Sequence, residues 1–215
     1  MYVSAVPELS TLAVFSAAAL ALIVVPGPAV AYIVAQSVDK GRRAGLVSAL
    51  GIGIGGLVHV AAATIGLSAL LASSATAFTA VKLLGAAYLI LLGLRQLLGR
   101  DPDPEVQAQV DAPPHRLLLH GVVVNVLNPK TALFFLAFLP QFVDPSLGSA
   151  ALQIAVLGCL FVALAAVSDS LYAVLAAAVA GRLRRSERAR RIRRLVSGTV
   201  FVALGATAAT AKRAS

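Results

Sequence analysis

The sequence contains few charged residues, a single cysteine and no tryptophan. Charged residues make up 13% of its 215 residues, whereas about 25% is typical of soluble domains. The lone cysteine, Cys159, excludes an intrachain disulfide and any metal site built from several thiolates. Hydrophobic residues reach 59% and form several runs longer than about 18 residues, enough to cross a hydrocarbon core of roughly 30 Å. The composition therefore predicts a polytopic membrane protein.

The positive charge is not distributed like that of a nucleic-acid-binding surface. The formal net charge is +9, but eight of the 18 basic residues lie in the short segment 182–194. In membrane proteins such clusters are typical of cytoplasmic loops that contact anionic lipid. Only Glu8, and no basic residue, precedes the first apolar run, so we predict a retained helix rather than a cleaved signal. We predict membrane lipids as partners and no nucleic-acid partner.

Apolar runs and their polar boundaries predict about six transmembrane helices. The predicted spans are 9–35, 44–71, 77–98, 118–143, 150–180 and 195–211. The last is short, and an interfacial segment is its alternative. Loops 1–2, 3–4 and 5–6 carry basic residues and the other two loops carry none, so the positive-inside rule places these three loops in the cytoplasm.

The connection between spans 3 and 4 divides the chain into two halves. It contains four prolines and four acidic residues, and we predict a flexible cytoplasmic linker over 99–117. Each half, 1–98 and 118–215, then contains three spans and must cross the membrane in the opposite sense to the other. The predicted architecture is all-α, with two inverted three-helix repeats, as in many secondary transporters.

Proline interrupts the first span of each half, in segments 26–28 and 125–130. Each proline removes a backbone donor, and lipid supplies no water to satisfy the freed carbonyl. A pair of broken helices in corresponding halves therefore predicts a substrate site, although a simple proline kink is the alternative for the first. The predicted substrate-binding residues are Pro26, Gly27, Pro28, Asn125, Asn128, Pro129 and Lys130.

Three ionisable side chains lie well inside predicted spans. Lys130 costs roughly 2.5–3.5 kcal/mol to insert near mid-membrane, so we expect it to face a cavity and bind a carboxylate, or to pair structurally with Asp169. Asp169 and His59 are the candidates for proton coupling, because burial and charge bring such groups toward neutral titration. For His59, an interhelical hydrogen bond is the alternative.

The remaining motifs do not indicate catalysis. Segment 51–56 matches a dinucleotide-binding glycine pattern, but it lies in an apolar span with no preceding strand, so we predict that Gly51 and Gly55 allow close helix packing instead. No nucleophile–base pair or cluster of metal ligands is evident in the sequence, and we predict neither an enzyme nor a cofactor or metal site. Lys82 is expected to snorkel to the membrane boundary.

Four motifs in series resemble the lysine exporter (LysE) and homoserine/threonine exporter family of bacterial amino-acid efflux permeases. The resemblance covers essentially the whole chain. The motifs are Pro26-Gly27-Pro28, the glycine-rich second span with His59 and Gly66-Leu67, Lys82-x-x-Gly85-Ala86-x-Tyr88-Leu89-x-x-x-Gly93, and Asn125-x-x-Asn128-Pro129-Lys130 followed by Phe134-Phe135 and Leu139-Pro140-Gln141-Phe142.

This resemblance implies a multi-pass permease of the bacterial plasma (inner) membrane that exports amino acids or close derivatives, driven by the proton motive force. It also implies that segments 26–28 and 128–130 line the transport pathway. A homodimer is possible on the small-residue helix faces. The alternative function is a small-ion or metal-cation exporter of related fold, and the sequence does not identify which amino acid is carried.

Overall fold

The computed structural model describes residues 7–73 and 113–180, with isolated positions at 80, 83, 90, 94 and 98. The predicted linker up to residue 112, the predicted sixth span, the basic segment 182–194 and Lys82 lie outside the described residues, as does most of the third span. The described ranges contain helices and turns and no strand. Their helices are α1 (Leu9–Ile23), α2 (Pro28–Lys40), α3 (Arg42–Ser73), α4 (Pro114–Val126), α5 (Pro129–Leu133) and α6 (Ala150–Ala178).

The first predicted span is two helices with a break between them. Helix α1 ends at Ile23, α2 begins at Pro28, and the two axes differ by 56°. Pro26 cannot donate to the carbonyl of Leu22, which instead accepts the backbone N–H of Val25 at 3.2 Å. Pro28 is the first residue of α2, where a missing N–H costs nothing, and Gly27 before it is extended.

The fourth predicted span is broken in the same way. A π-helical turn (Phe134–Phe138) and a 3₁₀ turn (Leu139–Phe142) continue from α5, and this helical segment, Pro129–Phe142, is bent by 45° from α4. The side chain of Asn128 caps α5 by accepting the backbone N–H of Lys130 at 3.1 Å. Helix α4 begins at Pro114, so residues 114–117, which we predicted as linker, are helical because proline at this position starts a helix.

Helices α3 and α6 are long and continuous. Both are long and apolar enough to cross a membrane. Within the described residues, the number of candidate membrane spans is two, or four if each bent pair of helices is one span. The prediction of an all-α polytopic membrane protein is confirmed. The inverted repeat stays a prediction, since one helix of each half lies largely outside the described residues.

Close packing of α3 against α4 depends on glycine. A Cβ added to Gly51 would collide with the carbonyl of Leu118, and one added to Gly55 would lie 2.7 Å from the carbonyl of Val122. Gly121 of α4 faces Gly51 across the contact. The predicted role of Gly51 and Gly55 in helix approach is therefore confirmed.

The two ends of the helix bundle have different interiors. The end that contains the 144–149 turn is filled by an aromatic cluster, in which the rings of Phe134 and Phe161 stack with centroids 4.3 Å apart and Phe15 packs edge-on to Phe142. Toward the other end the buried residues of α2 and α3 include polar ones: Tyr32, Gln36, Ser37 and Ser48. The two helix breaks lie between these regions.

Candidate functional site

Two consecutive carbonyls of the first break accept hydrogen bonds from side chains of other helices. In a continuous helix the carbonyl of Val24 would accept the N–H of residue 28, but residue 28 is proline. The hydroxyl of Tyr172 in α6 donates to this carbonyl instead, at 2.6 Å. The next carbonyl, of Val25, accepts a hydrogen bond from Nζ of Lys130 in α5. Both carbonyls of the break are therefore satisfied without water.

Lys130 connects the two breaks. Its side chain starts from the second break, is 8% exposed, and crosses to the first. Gly27 favours this contact, because a Cβ there would lie 3.1 Å from Cδ of Lys130, closer than most Cβ contacts, and 3.6 Å from Nζ. The glycine thus provides room for a cation beside the broken helix, in addition to its backbone freedom.

Asn125 organises the second break. Its amide nitrogen donates to the carbonyl of Ile52 in α3 at 2.7 Å. Its amide oxygen accepts from the hydroxyl of Thr131 at 2.9 Å and from the amide of Asn128 at 3.3 Å. Both polar atoms of this 5% exposed side chain are therefore used within the protein, which fixes α5 against α3.

His59 adds a second donor to a carbonyl at the second break, that of Asn125, which also accepts the backbone N–H of Asn128 at 3.0 Å. Pro129 has no N–H to donate to the carbonyl of Asn125, and Nε2 of His59 lies 2.8 Å from that oxygen. Because a carbonyl only accepts, Nε2 carries the hydrogen in this contact. The ring also stacks on Phe135, with centroids 5.9 Å apart. This geometry matches the interhelical hydrogen bond that we gave as the alternative to proton coupling.

Asp169 lies in α6 beside these groups. Its side chain is 5% exposed and interacts electrostatically with Lys130 and with Tyr172, which follows it by about one helical turn. The site thus combines one buried carboxylate and one buried ammonium with main-chain carbonyls. Among the described residues, no group of three or more His, Cys, Asp or Glu side chains could hold a metal ion, and Cys159 is exposed.

The structure brings together most of the predicted site, and it adds residues that the sequence prediction omitted. Pro26, Gly27 and Pro28 shape one side of it. Asn128, Pro129 and Lys130 shape the other, with Asn125 and His59 behind them. The omitted residues are Tyr172, Thr131 and the carbonyls of Val24 and Val25. A signal for one carbonyl was present, because a proline at position 28 identifies residue 24 as the acceptor left without a donor.

The chain is similar to known membrane proteins over most of its length. Residues 20–212 match the family model described as LysE type translocator. A Vibrio cholerae protein called an uncharacterized membrane protein is 34% identical over 87% of this chain and 90% of its own. The homoserine/homoserine lactone efflux protein of Salmonella typhimurium is 30% identical, over 88% of this chain and 91% of its own. No solved structure matches the chain. The chain belongs to the LysE type translocator family, whose members are transporters.

Proposed function

We propose that this protein is a secondary transporter that exports amino acids or close derivatives from the cytoplasm in exchange for protons. The contact between Lys130 and the Val25 carbonyl carries the proposal, because it places a buried cation and a main-chain acceptor at the meeting point of two broken helices. Family membership and relatives named as efflux proteins support the same function.

The charges of the site complement those of a free amino acid. A substrate carboxylate would bind the ammonium of Lys130, and a substrate ammonium would bind the carboxylate of Asp169 and the carbonyl of Val25. The amino acid thereby inserts between groups that otherwise interact with one another. Charge-assisted hydrogen bonds of this kind are about twice as strong as neutral ones.

Asp169 supplies the coupling in this scheme. Its carboxylate can bind a proton or the substrate ammonium, and binding of one disfavours the other. Such mutual exclusion is what proton antiport requires, since a proton arriving from outside displaces the amino acid and is carried inward. Neutralising Asp169 while keeping its shape should therefore uncouple efflux from the gradient.

The direct test is efflux from proteoliposomes preloaded with a mixture of amino acids, with and without an imposed proton gradient. Homoserine and its lactone belong in the mixture because relatives are named for them. Gradient-dependent loss of one or a few compounds is the expected result, with protein-free vesicles as the control. If ions move while no amino acid does, the protein is an ion exporter instead.

Orientation follows from the same proposal. We infer that loops 1–2, 3–4 and 5–6 face the cytoplasm of a bacterium, with the protein in the inner membrane. Single cysteines placed at Ser146 and at Arg188, in a Cys159→Ala background, test this. An impermeant thiol reagent added to whole cells should label position 146 and not position 188. The reverse pattern overturns the orientation.

A further inference from the structure

Tyr172 donates a hydrogen bond to the Val24 carbonyl, which has no helical donor because residue 28 is proline. Pro28 deprives the Val24 carbonyl of its helical donor, and the Tyr172 hydroxyl replaces that donor from a helix 148 residues away in sequence. Val24 is 58% exposed on the surface of the protein, and in lipid, which supplies no water, a carbonyl without a partner is costly. The hydrogen bond from the Tyr172 hydroxyl therefore stabilises the first helix break in particular, and not only the packing of α6 against its neighbours.

The position of this bond relates Tyr172 to substrate binding. The Val24 carbonyl directly precedes the Val25 carbonyl that contacts Lys130, so orienting one peptide orients the next. Tyr172 also lies three residues after Asp169, which places both on one side of α6. One helix therefore carries both the buried carboxylate and the donor that holds the broken helix opposite it.

We infer that Tyr172 is a positioning residue, which holds the first helix break so that the Val25 carbonyl stays directed at Lys130 and at an incoming substrate ammonium. This inference rests on the proposed function. Without the hydroxyl, the Val24 and Val25 carbonyls compete for Lys130, and the substrate must order the break as it binds.

The test compares Tyr172→Phe with Tyr32→Phe. Tyr32 also donates its hydroxyl to a main-chain carbonyl, that of Leu117 at 3.0 Å, but away from both breaks. The readout is homoserine counterflow in proteoliposomes. Tyr172→Phe should raise KM about tenfold, as expected for the loss of one hydrogen bond, with Vmax within about twofold. Tyr32→Phe should leave KM unchanged. An unchanged KM in Tyr172→Phe, or a fall in Vmax alone, overturns the inference.

A second measurement needs no substrate. Hydrogen exchange, followed by mass spectrometry, should show faster exchange of the amides in segment 24–31 in Tyr172→Phe and not in Tyr32→Phe. Equal exchange in the two tyrosine variants overturns the inference even if homoserine is not a substrate. Failure of all amino-acid efflux, by contrast, refutes only the proposed function.

Discussion

Under the proposed function, replacing Lys130 with glutamine should distinguish homoserine from its lactone, two compounds named for relatives of this chain. Homoserine has a free carboxylate, whereas homoserine lactone has none, and both have an amino group. If Lys130 binds the substrate carboxylate, Lys130→Gln removes a charge-assisted hydrogen bond for homoserine alone. Such a bond contributes about 1.5–3 kcal/mol. The expected rise in KM for homoserine is therefore about 10- to 150-fold.

The lactone serves as an internal control for damage to the protein. Lys130 is 8% exposed and bonded to the first break, so its removal could disturb the site generally. General damage would raise KM for both compounds equally, whereas loss of a carboxylate contact raises only that of homoserine. Lys40→Gln, at the end of α2, makes the same chemical change away from the breaks and should leave the ratio unchanged. Equal effects on both substrates would refute the role of Lys130.

Three further predictions concern coupling and packing. Asp169→Asn should reduce gradient-driven efflux to the rate measured without a gradient, and unchanged efflux would exclude its coupling role. Gly51→Ala should destabilise the protein by about 1–3 kcal/mol in thermal unfolding, because the added Cβ collides with the carbonyl of Leu118. Gly53→Ala is its matched control, since that Cβ meets nothing within 4 Å, and it should not lower stability. Phe134→Ala, which removes a 1% exposed ring from the aromatic cluster, should cost about 3–5 kcal/mol in the same assay.

The two broken helices were predictable because their cause is local. Proline removes a specific donor wherever it occurs, so segments 26–28 and 128–129 had to interrupt any helix through them. The glycine contact between α3 and α4 was predictable for a similar reason, since glycines four residues apart leave a groove on one helix face. Such features depend on the residues concerned and little on the rest of the fold.

The partners of the freed groups were not predictable, because they depend on how the helices rotate against one another. Asn125 was predicted to bind substrate, yet both polar atoms of its amide are used on Ile52, Asn128 and Thr131. A role for Asn125 in transport is therefore better understood as holding the second break in place. Tyr172 was not predicted as a site residue, because nothing near it in sequence indicates that its hydroxyl donates to the Val24 carbonyl.

The hydrogen bonds at the two breaks differ in whether proline has removed the helical donor of the accepting carbonyl. The Val24 and Asn125 carbonyls each lose a helical donor to proline, at positions 28 and 129. The first accepts a hydrogen bond from Tyr172, and the second accepts one from His59 and one from the backbone N–H of Asn128. The Val25 carbonyl is different, because its helical donor would be Ala29, which has an N–H, and only the bend of 56° separates the two. The bond from Lys130 to this carbonyl therefore replaces a donor that the bend moves away, and not one that proline removes. Under the proposed function it is also the one of these bonds that can be exchanged at least cost, because the departing ammonium would gain a substrate carboxylate while the carbonyl would gain a substrate ammonium.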